Sequence, residues 1–541
     1  MAHQIAARVQ NRTDKEPMRV GRTVTREHLP TGLDHRKCVK AFFNYIHEAY
    51  PVFDRTKVTA EAEQYFMAAA KPGSIPCANV PVKLYMIIVI GCAALCSVRK
   101  LPEDMAERVF VPYQEIMNDC LMLPSVETIE NLLLLALYSI YDPLGVSPWT
   151  LTGVLGRQAI AIGLNRKCRI VGDEGGGASA ADDNSNGPAV MATTGLEAEH
   201  RHRLFWAIYQ FDRMIAAAFG LPFVIDDQSI NVPLPGITVE EFASSERIHY
   251  TRVLQVSRNS IGLRNLEGRV FQQVHLGNSP TTSSTSTGPS ISISTSSLTY
   301  IDRRAILEDF RSRIDDWYAQ RCLLSRLEKD NVEFLNTIGW LNLRYYSLLA
   351  LLYCPSDFNS QLSSGQVSDL HRTIEQYIYY CAVLFQQQHF PLTYITLNRL
   401  LLVLLILLFC IDSSSHPGDV KGGRIDAHVV ISLCIPILEA FPDRWSSAKR
   451  MLVLFRRLDC VPQLGQPPDH GSATNSTMFD ETLPLASSAM GAGSYQQAEA
   501  SRKGSVGQGV TFEDGLERIK NDAFALSQEI LGPSSVYNNF S

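Results

Sequence analysis

Apolar residues recur three and four positions apart along most of this chain, which is the spacing of one face of an α-helix. The clearest stripe lies within the stretch 199–235. Its members are four, three, four and four residues apart: Leu204, Ile208, Phe211, Ile215 and Phe219. Gly220 is predicted to close this helix, because glycine tolerates the left-handed conformation of a helix end and Pro222 cannot continue a helix. An acidic turn and an extended segment with two prolines, 230–235, follow.

The same spacing predicts helices on both sides of this stretch. The predicted stretches are 84–98, 128–141, 149–166, 240–275, a face that begins at residue 300, 336–355, 370–388, 394–411 and 428–458. We therefore predict an all-α fold built as a multi-helix array. Two apolar runs, 85–98 and 400–411, fall short of the roughly 18 residues that a membrane-spanning helix needs, so we expect buried helices and no membrane segment.

Segments poor in apolar residues divide this array. The insertion 172–195 is rich in Gly, Ala, Ser and Asp, and we expect disorder because it cannot bury enough apolar surface to fold. The Ser/Thr-rich stretch 276–300 is predicted to be a flexible linker and a phosphorylation substrate. The predicted organisation is a polar tail at 1–34, helical halves at 35–275 and 301–460 on either side of that linker, a disordered linker at 461–510 and a last helix at 511–532.

The last predicted helix is acidic and amphipathic. Its apolar stripe consists of Phe512, Leu516, Ile519, Ala523, Leu526 and Ile530. Five acidic residues and two basic residues lie on the same segment. An acidic amphipathic helix beside a flexible tether is typical of a coactivator-binding activation segment, but the same stripe would also dock on the protein's own helical array. The sequence leaves both alternatives open.

The charge balance limits what the chain can bind directly. Its 541 residues carry a net charge of -6 and a pI near 6.1, so the chain as a whole lacks the basic surface typical of nucleic-acid binding. Any DNA contact is therefore expected to be local or made through a partner. The 12 cysteines are scattered among apolar segments, which indicates buried thiols in a reducing compartment.

Candidate catalytic and metal-binding residues are few. Cys92 and Cys96 are one helical turn apart, but their neighbours are apolar, so core packing is the favoured interpretation. His200 and His202 point to opposite faces of a helix and cannot chelate one metal, and we interpret them as a solvated, basic helix start. For Asp212 and the adjacent arginine we favour a structural charge pair between neighbouring helices over a catalytic acid, since no nucleophile motif lies nearby. We predict no enzyme activity, no cofactor and no metal site.

The residues of 199–235 resemble the signature of the fungal-specific transcription factor domain, the middle homology region of fungal binuclear zinc-cluster regulators. The matching residues are Arg201, Arg203, Leu204, Phe205, Trp206, Tyr209, Asp212, Arg213, Gly220, Pro222, Asp226, Asp227, Val232, Pro233, Leu234 and Pro235. Leu221 stands where that family usually has an arginine. The resemblance extends more diffusely over residues 38–460, and it implies that the two helical halves form one regulatory domain.

In the family that this chain resembles, a zinc cluster precedes the regulatory domain. Six zinc-ligating cysteines would need closely spaced Cys-x-x-Cys pairs. The first cysteines are at positions 38, 77, 92, 96 and 120, and none of them form such a pair. We therefore do not expect this sequence to bind zinc in that way.

The resemblance implies a nuclear regulator of transcription. We expect it to control a metabolic gene set, such as clustered secondary-metabolite genes. It would do so through contacts with coactivators or the transcription machinery. A homodimer, or a heterodimer with a zinc-cluster factor, would make the DNA contact indirect. Three alternatives stay open: a gene model that has lost the exon for a zinc cluster, a corepressor or decoy of a zinc-cluster factor, and, less favoured, an enzyme for a small metabolite.

Overall fold

The computed structural model describes residues 23–25, 29, 32–70, 79–122, 124–170, 192–277, 299–325, 337–360, 362–414, 427–460 and 512–539. The predicted disordered linker at 461–510 lies outside these residues, as do most of the tail at 1–34, the insertion at 172–195 and the linker at 276–300. The described part of the chain is all-α apart from four very short strands, which confirms the predicted fold class.

Eight helices precede residue 220 in the described part of the chain. They are α1 (His35–Phe42, continued by a π-helical turn at Phe43–His47), α2 (Arg55–Ala70), α3 (Val82–Ser97), α4 (Asp104–Glu107), α5 (Tyr113–Met122), α6 (Val126–Ser139), α7 (Pro148–Ala161) and α8 (Gly195–Phe219). Strand β1 (Thr23–Thr25) pairs antiparallel with β2 (Asn79–Pro81), and β3 (Arg169–Ile170) pairs parallel with β4 (Ala192–Thr193).

Nine further helices follow within the described residues. They are α9 (Val239–Ala243), α10 (Arg247–Val270, continued by a π-helical turn at Phe271–His275), α11 (Tyr300–Ser325), α12 (Ile338–Tyr353), α13 (Ser364–Gln386), α14 (Tyr394–Ser414), α15 (His428–Glu439), α16 (Ser446–Cys460) and α17 (Phe512–Leu531). Helices that are neighbours in sequence pack together repeatedly, as in α6 with α7, α7 with α8 and α12 with α13. This is the arrangement expected of a helical array.

Side-chain caps define several helix starts. Ser125, Thr238 and Ser363 each accept a hydrogen bond from the backbone N–H three residues later, and the side chain of that later residue bonds back to the cap. Such capping boxes satisfy N–H groups that have no partner inside the helix. They fix where α6, α9 and α13 begin.

The stretch 428–458 is predicted as one helical stretch, and the structure divides it into α15 and α16. Pro442 lies in the turn between them, where it lacks an N–H donor and disfavours helical geometry at the preceding residue. Phe441 and Trp445 are buried in this turn. The apolar spacing runs through the turn between α15 and α16 because the turn also packs into the core, so the spacing alone did not reveal the break.

Two clusters of buried side chains form the interior. The first core joins α1, α3, α6, α7 and α8, with Phe42, Tyr85 and Leu134 among its members. The second core joins α10 to α17, with Phe271 and Leu404 among its members. Helix α8 belongs to both, since its apolar stripe lies in the first core and Ala217 lies in the second. The stretch with the signature residues is thus the central helix of the protein.

Helix α14 is longer than its apolar run suggested. By length and composition alone it is the helix in the described part of the chain that could cross a membrane, over Tyr394–Ser413, and 78% of its most apolar window is buried inside the protein. The expectation that this run is too short was wrong, because residues on both sides, among them the apolar Ile395 and Leu397, continue the helix. Leu401, Leu404 and Ile406 are fully buried, as in the core helix of a globular array.

Cys92 lies fully buried in the first core. A hydrogen bond with Cys38 and burial together raise the pKa of its thiol to about 12, and the pKa of Cys96 is raised as well. A thiol in this state forms little thiolate at neutral pH and is a poor nucleophile and metal ligand. Core packing therefore accounts for this pair.

Candidate functional site

The signature residues lie on α8 and on the loop that follows it. Thr194 caps the helix by accepting a hydrogen bond of 3.3 Å from the N–H of Glu197. The predicted stripe from Leu204 to Phe219 is buried, as its spacing indicates. Phe205 is fully buried as well, although it lies off that stripe. The helix is covered on nearly all sides, so its polar residues need partners inside the protein.

Asp212 and Arg213 form the centre of these buried polar contacts. The Asp212 carboxylate accepts hydrogen bonds of 3.1 Å from the N–H groups of Val224 and Ile225. Arg213 donates to Asp212 at 2.7 Å, to the Ile225 carbonyl at 2.8 Å and to Asp227 at 2.6 Å. The pair therefore ties α8 to its own following loop. Our interpretation of a link between neighbouring helices was wrong because the partners are backbone groups 12 and 13 residues later.

The guanidinium of Arg213 is also held between two aromatic rings. Its carbon lies 4.4 Å from the ring centroid of Tyr209 and 4.1 Å from that of Phe223. Helix α10 passes close by, and a Cβ atom added at Gly268 would lie 2.7 Å from Cδ of Arg213. Glycine is therefore required at position 268 for this packing. Sequence reasoning missed it, since an isolated glycine in a helix carries no local signal of a neighbour 55 positions away.

Arg203 binds the end of the extended segment to α8. It donates to Glu241 at 2.7 and 2.6 Å, to Glu199 at 3.1 Å and to the carbonyl of Gly236 at 2.7 Å. Glu199 in turn accepts a hydrogen bond of 2.7 Å from the N–H of Gly236. Burial lowers the pKa of Arg203, but Glu241 and Glu199 outweigh this effect and raise it above its ordinary value.

The remaining aromatic and basic signature residues bind backbone carbonyls or side chains nearby. Trp206 donates to the Pro233 carbonyl at 2.7 Å, and Arg201 donates to the Ile162 carbonyl at 2.9 Å. The Tyr209 hydroxyl accepts a hydrogen bond of 3.0 Å from Asn265. The Pro235 carbonyl accepts one of 2.6 Å from Arg258, whereas Pro222 is exposed. The extended segment is thereby held along α8.

The two histidines near the start of α8 differ from the prediction of a solvated helix start. His202 is buried, and His200 lies 2.5 Å from the buried carboxylate of Glu130 on α6. Glu130 also pairs with Lys83 at 2.5 Å. Burial raises the pKa of Glu130, but the hydrogen bond from His200 and the charge of Lys83 lower it below its ordinary value. This end of α8 is therefore partly buried, since His202 is covered while the side chain of His200 stays 33% exposed.

The chain end docks at Gly220, the residue that closes α8. Gly220 has a φ of 67°, as predicted for a helix-closing glycine. Its carbonyl accepts a hydrogen bond of 2.9 Å from the N–H of Val536. A Cβ atom at this position would lie 2.3 Å from Oγ of Ser535 and 2.8 Å from Cδ2 of Tyr537. Gly220 is therefore needed both for its conformation and for this close approach.

Helix α17 packs against α14 and α16 through its predicted apolar stripe. Leu516, Ile519, Ala523 and Leu526 are buried. Two of its charged residues form ion pairs across this contact: Asp522 with Arg457 at 2.5 Å, and Lys520 with Asp412 at 2.6 Å. Of the two alternatives that the sequence left open, the structure has the helix docked on the array.

A cavity of about 170 Å³ lies between the two cores. The first core contributes Ile46, Leu137 and Ile140 to its wall, and the second core contributes Trp340 and Leu343. Three arginine side chains also line it: Arg264, Arg344 and Arg399. Among the residues that the structure describes, no group of His, Cys, Asp and Glu side chains is arranged to hold a metal ion.

The model of the fungal specific transcription factor domain matches residues 39–319, just over half of the chain. The chain belongs to this family. The match confirms the resemblance found in the signature residues. It also confirms the prediction that the chain is not an enzyme, because the family consists of transcription factors. The family domain begins in α1 and ends in α11, and the second core continues beyond it to α17.

Curated relatives of this domain match over different lengths. Protein STB5 of Saccharomyces cerevisiae is 27% identical over 444 residues, which cover 78% of this chain and 53% of the yeast protein. The negative regulator of pleiotropic drug resistance STB5 of Candida glabrata is 29% identical over 301 residues, 54% of this chain and 26% of that protein. The positive regulator of purine utilization of Emericella nidulans is 27% identical over 133 residues, 23% of this chain and 12% of that protein. The chain spans about half or less of the length of these relatives.

Proposed function

We propose that this chain is the regulatory part of a nuclear transcription factor that controls a metabolic gene set. The observation that carries the proposal is the family domain over residues 39–319, together with the signature contacts on α8. The relative whose name refers to purine utilization supports metabolism as the regulated process. Secondary-metabolite genes are one such set.

The mechanism we propose is restraint of an activation segment. Helix α17 is acidic and amphipathic, and its apolar stripe is buried against α14 and α16. A coactivator that binds such a helix would need the same apolar side chains. The docked helix is then the inactive form, and its release from the array makes it available. The hydrogen bond from Val536 to Gly220 links this release to α8.

The partners we propose are coactivators or the transcription machinery, and a second copy of this chain or a zinc-cluster factor. A net charge of -6 supports DNA contact through such a partner, because phosphate backbones attract basic surfaces. A partner that carries the basic surface would bring the regulatory domain to its genes.

The experiment that tests this function is rapid depletion of the protein in its host, followed by measurement of the transcriptome before metabolism can respond. We expect a compact set of metabolic genes to change together. Unchanged transcripts together with an accumulating metabolite would contradict the proposal and favour an enzyme. Depletion of an unrelated nuclear protein by the same method is the control for effects of the depletion itself.

A further inference from the structure

The cavity between the two cores has an imbalance of charge. Its three arginines come from three helices, Arg264 from α10, Arg344 from α12 and Arg399 from α14, and its wall contains no aspartate or glutamate among the described residues. The acidic side chain that pairs with them is Glu267, to which Arg264 donates a hydrogen bond and which lies 3.4 Å from Arg399. Three positive charges against one negative charge leave two positive charges in excess.

The carboxylate of Glu267 is already paired with Arg264 and Arg399. Burial alone raises the pKa of its carboxyl group, but the charges of Arg264 and Arg399 outweigh burial and hold the pKa below its ordinary value. The ionised carboxylate uses one oxygen for Arg264 and the other for Arg399. It is therefore not available to neutralise Arg344.

Two of the three guanidinium nitrogens of Arg344 lack a hydrogen-bond acceptor in the described part of the chain. Its Nε and Nη1 atoms are buried, and no group in the described part of the chain accepts a hydrogen bond from either. Burial and the neighbouring charges of Arg399 and Arg264 lower its pKa to about 9, so it is still protonated at neutral pH. The ring of Trp340, 5.2 Å from the guanidinium, provides only a cation–π contact. Leaving a buried cation without acceptors is unfavourable.

Two other buried arginines of this protein, which have structural roles, do have hydrogen-bond acceptors. Arg203 donates to two glutamates and a backbone carbonyl, and Arg213 donates to two aspartates and a backbone carbonyl. Within the described residues Arg213 leaves only its Nε without an acceptor, whereas Arg344 leaves both Nε and Nη1. The contrast with Arg344 indicates that the acceptor for its two buried nitrogens lies outside the described residues. An arginine kept for packing alone would be expected to have acceptors like these two.

We propose that this cavity binds a small organic anion through Arg344, with Arg264 and Arg399 beside it. Guanidinium groups bind carboxylates and phosphates through paired hydrogen bonds, so the ligand is a carboxylate or a phosphate monoester with one or two negative charges. A volume of about 170 Å³ corresponds to about six water molecules, which limits the ligand to a small metabolite. The walls formed by Leu137, Ile140 and Leu343 fit an apolar body attached to the anionic group.

A ligand at this place would contact both cores at once. Helix α14 supplies Arg399, and it packs against both α8 and α17. The anion would therefore stabilise the arrangement of these helices in which the three arginines lie close together. The size of this stabilisation is set by the difference between the anion's affinities for that arrangement and for any other. This regulatory consequence rests on the proposed function, whereas the binding site itself does not.

The test uses the purified full chain and two probe anions, 3-phenylpropionate and phenyl phosphate, with neutral 3-phenylpropanamide as the control ligand. Calorimetry and the shift of Tm report binding. We expect at least one anion to bind and to raise Tm, and the amide to do neither. Because this comparison needs no variant, it decides the proposal even if a variant fails to fold. Preference for one anion identifies the head group.

The variant Arg344→Met removes the unpaired cation and keeps an apolar side chain of similar length. We expect it to lower anion affinity about ten- to a hundredfold, the effect of losing hydrogen bonds between charged groups. The ligand-free variant should be as stable as the parent protein or more stable. The matched control is Arg304→Met on α11, because Arg304 is exposed and pairs with Glu308 on the surface. This control variant should bind the anions with unchanged affinity.

The proposal is overturned if neither anion binds at millimolar concentration, or if the amide binds as tightly as the acid. It is also overturned if Arg344→Met binds the anions as well as the parent protein, or if it destabilises the ligand-free protein strongly, since that would give Arg344 a structural role. Binding to the purified chain requires no transcription, and the depletion experiment requires no ligand, so either proposal can fail alone.

Discussion

The hydroxyl of Tyr537 donates a hydrogen bond of 2.5 Å to the backbone carbonyl of Ala217, 320 positions earlier in the chain. Ala217 lies in the last turn of α8, where carbonyl groups have no partner inside the helix. The end of the described chain thus completes the end of the signature helix. Tyr537 is fully buried at this contact, and its ring also lies close to Phe271 and His275.

The first prediction concerns this contact. Replacing Tyr537 with Phe removes the hydroxyl and leaves the buried carbonyl of Ala217 without its donor. We expect a loss of about 1–3 kcal/mol in the free energy of unfolding, measured by urea denaturation. Tyr379→Phe is the control, because Tyr379 is exposed on α13. Equal stabilities of the two variants would mean that the hydrogen bond from Tyr537 to Ala217 contributes nothing to the fold.

The second prediction concerns release of α17. Leu526 is buried on its docked face, and Leu526→Asp would place an unpaired carboxylate in the second core, so the helix should detach. Limited proteolysis of α17 reports detachment. A reporter gene driven by this chain fused to an unrelated DNA-binding domain reports its activity, and we expect the variant to increase expression.

Phe524→Asp is the matched control for this release, because Phe524 lies on the same helix and its side chain is 38% exposed. It adds the same charge without entering the core, so it should change neither proteolysis nor expression. If Leu526→Asp detaches α17 while expression stays constant or falls, α17 is not a restrained activation segment, and its docking is only structural.

The third prediction compares two glycines on α10. Gly268→Ala would place a Cβ atom 2.7 Å from Cδ of Arg213 and disturb the stacked guanidinium, so we expect a loss of about 1–3 kcal/mol. At Gly262 an added Cβ meets no atom within 4 Å, and Gly262→Ala should stabilise the helix by about 0.5–1 kcal/mol. Thermal unfolding should therefore show a lower stability for Gly268→Ala and a higher stability for Gly262→Ala. A gain in stability at position 268 would show that Arg213 is not held by this packing.

Local sequence patterns were sufficient for much of the fold. The stripe from Leu204 to Phe219 and the left-handed Gly220 are consequences of residues within one helix and its end, so spacing and backbone preference predict them. The bonds from Trp206 to Pro233 and from Arg213 to Asp227 involve residues already marked by the signature, although their geometry was not predictable. Both bonds join residues within the stretch 199–235, 27 and 14 positions apart.

Contacts between distant residues leave no such pattern. Arg264, Arg344 and Arg399 are spaced like ordinary basic residues on three separate helices, and only packing brings them to one cavity. Gly268 and Tyr537 were missed for the same reason. His202 was expected in solvent because a basic helix start is usually exposed, and the structure buries it. Local periodicity predicts which face is buried but not which helix covers it.

The last prediction concerns pH and two buried histidines. His47 donates a hydrogen bond of 2.6 Å from Nε2 to the carbonyl of Phe53, and burial lowers its pKa to about 3. His275 donates one of 2.7 Å to the carbonyl of Leu351, and burial lowers its pKa to about 4. In the unfolded chain both would titrate near 6.5. Between these values the unfolded state binds more protons than the folded state, so stability must fall as pH decreases.

Each histidine can contribute up to about 1.4 kcal/mol per pH unit to this loss. Carboxylates with lowered pKa, such as Glu130 and Glu267, also weaken the fold in acid, but only near and below their ordinary pKa of about 4.5. The loss between pH 6.5 and 5 therefore reports the histidines. We expect His47→Gln, whose amide can still donate to Phe53, to reduce the slope of unfolding free energy against pH in that window. An unchanged slope would mean that His47 becomes protonated in the folded protein without loss of its contact.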